Sequence, residues 1–152
     1  MHRTLIKKRY FSVMNTLQPK SQFVAPLILV VGNVLLICFH AAVLLHMVPS
    51  SLVWSGGNRV QGDVMKLEIV SLLLAFVFLA ISWSGRRAIQ LGRPSRWVRA
   101  ATIALTAIYT LSIVANIASA NPVEQMIFIP VSTLFAVCAF VSTRSLPKNI
   151  SI

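Results

Sequence analysis

Acidic residues are nearly missing from this chain. Of its 152 residues only Asp63, Glu68 and Glu124 are acidic, against fourteen lysines and arginines. Charge of either sign is confined to short stretches. None occurs between Lys20 and Arg59, from Ile69 to Gly85, from Ala100 to Val123, or from Gln125 to Thr143. Such runs exclude an ordinary soluble domain, in which about a quarter of the residues are charged. A soluble helical bundle would also need a polar face at helical period, and these runs lack one. Histidine is scarce (His2, His40 and His46), and with only Cys38 and Cys138 beside it there is no zinc-type spacing. The pair Gly56-Gly57 has no Gly-Lys-Ser/Thr ending and no preceding strand, so it is not a phosphate loop. No metal, no cofactor and no catalytic residue is assigned from these patterns, and an enzyme is less expected than a protein without turnover.

What is present is hydrophobicity: 57% of the residues are apolar. A bilayer core takes about 20 apolar residues per helix. The charge-free runs then give four spans, about Phe23–Val48, Asp63–Gly85, Trp97–Ala120 and Pro122–Thr143. The expected fold is all-α: an integral membrane four-helix bundle made of two helical hairpins. It occupies residues 23–145, between a basic segment at 1–22 and a tail at 146–152. Cys38 and Cys138 fall in the first and last spans at depths that differ by roughly 14 Å on the helix rise. That exceeds disulfide reach, so both read as buried thiols.

The net charge of +11 is a topology signal. Arg3, Lys7, Lys8, Arg9 and Lys20 precede the first span. Arg86, Arg87, Arg93, Arg96 and Arg99 lie between the second and third, and Arg144 and Lys148 follow the fourth. Only Arg59 and Lys66 fall in the other two connections. The positive-inside rule places both termini and the middle loop in the cytoplasm. Basic residues split among membrane-flanking segments point to anionic lipid headgroups at that face and away from nucleic acid. The expected location is a bacterial cytoplasmic membrane. A mitochondrial inner membrane is the alternative, because Met1–Lys20 is basic, acid-free and patterned like a presequence. Ile6, Tyr10, Val13, Met14 and Leu17 also fall at the spacing of a short helix lying on the membrane surface.

Polar residues inside the spans mark the faces that turn away from lipid. Asn33 and His40 are seven apart on one face of the first span. Glu68, Ser71, Ala75 and Ser82 share a small, polar face of the second. Thr102, Thr106, Tyr109 and Asn116 form a narrow stripe on the third. Asp63 is expected to cap the second span, which leaves Glu68 about a turn and a half below the membrane surface. At that depth it either faces the bundle or reaches back to the headgroups. Asn121-Pro122-Val123-Glu124 reads as a capping box that ties the last two spans into a tight hairpin. His46 lies near the end of the first span, on a different face from His40.

The longest polar interruption runs from His46 to Glu68, with Pro49, Trp54, Gly56, Gly57 and Arg59 in it. Its run VPSSLVWSGGNR, followed by a glutamate opening the next helix, resembles small bacterial four-span membrane proteins with a Trp-Gly-Gly-Arg-like outer loop. The similarity covers Leu45 to Ser71, and Ser55 and Asn58 interrupt the pattern. The resemblance implies a four-span fold and brings no activity with it.

Glu68, His40, His46, Asn116, Tyr109, Trp54 and Arg59 form the candidate polar cluster. Three roles compete for it. An accessory or interaction protein, with a membrane-protein partner or a second copy, would use the polar stripes for helix packing; this is the first expectation. A small transporter or ligand-binding protein would build an outer-half pocket around Glu68. A membrane enzyme would use Glu68 with a histidine for acid–base work on a lipid-like substrate. An open or a solid interior beside Glu68 separates the first from the others.

Overall fold

A computed structural model of the chain describes residues 21–49, 61–93 and 95–147. These residues form four α-helices, with no strand among the described residues: α1 (Ser21–Leu44), α2 (Gln61–Leu91), α3 (Arg96–Ile117) and α4 (Pro122–Ser145). Each is long and apolar enough to cross a membrane. With no water in the hydrocarbon core, the backbone must satisfy itself, and a helix does so within one segment. The chain is therefore an all-α, four-span protein of the lipid bilayer. The surface-helix expectation for Met1–Lys20 lies outside the described residues.

The hairpins α1–α2 and α3–α4 pack most closely, α1 lies next to α4, and α2 lies next to α3. The four axes thus close a ring around a common interior. Leu29, Ala75, Leu105 and Ala139 are buried at its centre. Gly32 on α1 has a packing reason: a Cβ there would overlap the ring of Phe135 on α4. The Phe135 ring meets Tyr109 edge to face, with centroids 5.2 Å apart, and Phe78 meets Tyr109 the same way at 5.6 Å. Large apolar side chains such as Leu35, Leu73, Leu111 and Val137 point outward instead. That is the pattern of helices solvated by lipid.

Helix ends depart from the expected boundaries for local reasons. The first span ends at Leu44 rather than Val48. Met47 N–H donates to Ala42 O (2.9 Å) and His46 N–H to Val43 O (3.0 Å), with His46 at φ 57°. These are the two bonds of a Schellman cap, with a histidine in the left-handed position usually held by glycine. The second span ignores Arg86 and Arg87 and runs to Leu91. The same cap closes it, with Gly92 at φ 61°, Arg93 N–H on Ala88 O (3.1 Å) and Gly92 N–H on Ile89 O (3.2 Å). Asp63 is not the N-cap of α2: the helix begins at Gln61, and Asp63 sits in its first turn, exposed and 3.4 Å from Lys66. The third span ends at Ile117 rather than Ala120. Ser95 caps its start by accepting from Val98 N–H.

Asn121 caps α4 as expected, its Oδ1 accepting from Val123 N–H at 3.1 Å with Pro122 at the first helical position. Ser119 joins this cap. Its hydroxyl donates to Glu124 Oε2 at 2.5 Å and accepts from Asn121 N–H at 3.2 Å. At the opposite, arginine-rich end of the bundle, Arg99 reaches from α3 to the carbonyls just past the end of α4. Its Nη2 donates to Leu146 O (2.8 Å) and Pro147 O (3.1 Å). A cation there also matches the negative end of the helix dipole. Ala88, Ile89 and Leu146 are buried beside it with Val98, which seals that end.

Candidate functional site

Two polar contacts cross the interior at different depths. The deeper one is neutral. Asn33 is fully buried; its amide donates to Leu29 O (2.8 Å) and Ser82 Oγ (3.2 Å), and its Oδ1 accepts from the Tyr109 hydroxyl (2.8 Å). One side chain so links α1, α2 and α3. The requirement behind this is strict in lipid, where an unsatisfied polar group costs several kcal/mol (about) with no water to help. Among the described residues every buried side-chain nitrogen and oxygen has a partner.

The second contact is ionisable. His40 lies two turns further along α1, on the face of Asn33, and Glu68 faces it from the start of α2. His40 Nδ1 and Glu68 Oε2 are 2.7 Å apart. Glu68 is 1% exposed and His40 14%. A distance that short holds a hydrogen between the two atoms. It sits either on Nδ1, donating to the carboxylate, or on the carboxyl, donating to Nδ1. Glu68 faces the bundle and does not reach back toward the headgroups. The reason is the small face that the sequence gives α2: Ala75 and Ser82, on the same side, are buried too and let α1 come close.

Beside this pair the interior is open. A cavity of about 320 Å³ is lined from all four helices. Phe39 and His40 come from α1, Glu68 and Ser71 from α2, Tyr109 and Asn116 from α3, and Glu124 and Phe128 from α4. Asn116 closes part of the wall by donating across the hairpin to Ser132 Oγ (2.9 Å) and Phe128 O (3.3 Å). Phe39 meets both Phe128 and the His40 imidazole edge to face, at 5.5 and 5.6 Å. The His40–Glu68 pair, the small hydroxyls of Ser71, Ser112 and Ser132, and aromatic walls thus meet in one space.

Of the candidate cluster, Glu68, His40, Asn116 and Tyr109 come together around this cavity. His46 does not. It is exposed, because its left-handed backbone turns it off the α1 axis, away from the face that His40 occupies. Trp54 and Arg59 lie outside the described residues. Cys38 is exposed on the lipid-facing side of α1 rather than buried, whereas Cys138 is buried. Sequence reasoning missed the roles of Phe39, Phe128 and Ser132, since an aromatic or a serine in an apolar run carries no mark of its own. It missed Glu124 as a wall residue, having read it only as part of a cap. No group of three or more His, Cys, Asp or Glu side chains among the described residues is placed to hold a metal ion.

The fold and the site define a class: a four-span integral membrane protein with a solute-sized interior cavity. No family model, curated protein or solved structure matches the chain.

Proposed function

We propose that this is a small ligand-binding membrane protein of the transporter type, taking one small amphipathic solute into the cavity beside Glu68. The observation that carries this is the juxtaposition of the buried His40–Glu68 contact, at 2.7 Å, with an open space of about 320 Å³. A protein whose polar stripes served only helix packing would have no need of either. Packing is met by neutral, satisfied groups such as Asn33, whereas a buried carboxylate is costly and marks a functional position in a membrane. The volume lies at the small end of ligand sites, about 300–1,000 Å³. The walls have the usual character of such sites, mostly apolar with a few convergent polar groups.

The arginine-rich end faces the cytoplasm on this reading, with both termini, and the cavity lies in the outer half of the membrane. The support is the distribution of the basic residues, which also favours contact with anionic headgroups at the cytoplasmic face of a bacterial inner membrane. Reporter fusions at Gly92 and Gly57 are then expected in the cytoplasm and outside it, respectively; the reverse assignment removes this orientation, and a common face removes the four-span topology.

The function is tested by screening small amphipathic solutes for stabilisation of the protein in nanodiscs. A solute at one hundred times its dissociation constant adds about 2.7 kcal/mol to stability. It is expected to lose that effect in Glu68→Gln, and in Ser71→Phe, which fills the cavity. If every solute that stabilises the wild type stabilises both variants equally, the cavity is not the binding site.

A further inference from the structure

Glu68 and Glu124 both line the cavity, and they are two of only three acidic residues in a chain with fourteen lysines and arginines. The described lining residues include no lysine or arginine. Five rings stand around the same space: Phe39, Phe78, Tyr109, Phe128 and Phe135. Aromatic faces carry negative electrostatic potential and attract cations, most strongly where water is excluded. A carboxyl group beside several aromatic rings is an arrangement that recognises an organic ammonium; an anion would meet the carboxyl groups of Glu68 and Glu124 with no lysine or arginine among the described lining residues. The volume admits a single-ring compound.

Resting on the binding cavity proposed above, we infer that its solute is a small hydrophobic organic cation, and that the cation binds in exchange for a proton of the His40–Glu68 pair. The exchange follows from the geometry of the contact. With a hydrogen between Nδ1 and Oε2, the pair has two forms of zero net charge, imidazolium with carboxylate or neutral imidazole with carboxylic acid. It has one form of net charge −1, neutral imidazole donating from Nδ1 to the carboxylate. A cation selects the last. Starting from either neutral form, one proton leaves to water as the cation arrives, and the charge in the cavity is conserved. Among the described residues the ionisable groups that face the space are the pair itself, His40 from α1 and Glu68 from α2, with Tyr109 from α3 and Glu124 from α4. Asp63 and Lys66, near Glu68 in sequence, are exposed and beside each other. Glu124, in the first turn of α4 and accepting from Ser119, adds a second carboxyl group to the wall.

The test uses the full chain in nanodiscs of zwitterionic lipid, with two probes of one shape: radiolabelled benzyltrimethylammonium and its neutral carbon isostere, neopentylbenzene. Binding is measured from mildly acidic to mildly alkaline pH. The cation is expected to bind at least about tenfold more tightly than the isostere above neutrality, and its affinity to rise with pH by up to about tenfold per unit, the limit for one proton released. The isostere's affinity is expected to stay flat. Calorimetry in buffers of different ionisation enthalpy should count up to one proton released per cation. Glu68→Gln is expected to erase both the preference for the cation and its pH dependence. Equal affinity for the two probes, or pH-independent binding of the cation, overturns the inference on the wild type alone. If the isostere binds as tightly as the cation and Ser71→Phe blocks both, the cavity stands and only its cation preference falls. If neither probe binds, the inference falls with the cavity.

Discussion

Asn33 and Glu68 are both polar, both buried, and both bonded to a neighbouring helix, yet they do different things. Asn33 is neutral, and its amide is matched on both sides by Ser82, Leu29 and Tyr109. Nothing about it changes with pH or requires space. Glu68 is ionisable, shares a hydrogen with another ionisable group, and stands on the wall of a cavity. The comparison teaches how to read a polar residue within a membrane bundle. Burial and a partner do not distinguish packing from function. A titratable group with room beside it does.

The same contrast runs along the bundle. Toward the arginine-rich end the helices are tied by Arg99 and packed around Ala88, Ile89 and Leu146. In the middle, Phe135 presses onto Gly32. Toward the other end Phe39 and Phe128 meet edge to face and border the cavity together with His40, Glu68 and Asn116. Substituting the sealed part should therefore cost stability, and substituting the open part should cost binding.

The largest effect is expected at Gly32. Gly32→Leu forces the Phe135 ring from its seat, and overpacking of that kind costs about 3 kcal/mol. Unfolding of the purified protein in mixed micelles measures it; an unchanged midpoint would mean that α1 and α4 are not pressed together. Next comes Asn33→Ala, which removes three bonds and strands the Tyr109 hydroxyl. A loss of about 2 kcal/mol is expected from the same measurement. Asn121→Ala, at the α4 cap, is expected to cost about 1 kcal/mol. The smallest effect on stability belongs to Glu68→Gln. A glutamine still bonds to His40 and fills the same volume, so the midpoint should move by less than about 1 kcal/mol. Should Glu68→Gln prove as damaging as Asn33→Ala, the distinction between the two sites collapses.

Much of the fold was legible in the sequence because lipid imposes a long, simple signal. Charge-free runs of the right length have one solution, and four of them gave four helices. The inward faces were legible too, through Asn33 and His40 on α1 and through Thr102, Thr106 and Tyr109 on α3 at helical spacing. Boundaries were harder. The end of α1 at Leu44 depends on His46 adopting a left-handed conformation that its side chain does not advertise. The continuation of α2 to Leu91 depends on two arginines being tolerated within a helix that projects past the hydrocarbon. The meeting of His40 with Glu68 was half legible. His40 was expected on an inward face and Glu68 either there or at the headgroups, and the register between α1 and α2 that brings them together is set where Ala75 and Ser82 are buried. The cavity was not legible. It arises from where Phe39 and Phe128 come to rest, and an aromatic residue in an apolar run reads the same whether it fills a space or borders one.

The central claim is that the His40–Glu68 pair stands at an open space while Asn33, on the same face of the same helix, does not. Transfer of magnetisation from water to side-chain nitrogens, measured by solid-state NMR on the protein in lipid with labelled histidine and asparagine, compares the two sites within one sample. His40 should receive signal from water rapidly, and Asn33 slowly or not at all. Equal transfer to both, or none to His40, would contradict the account.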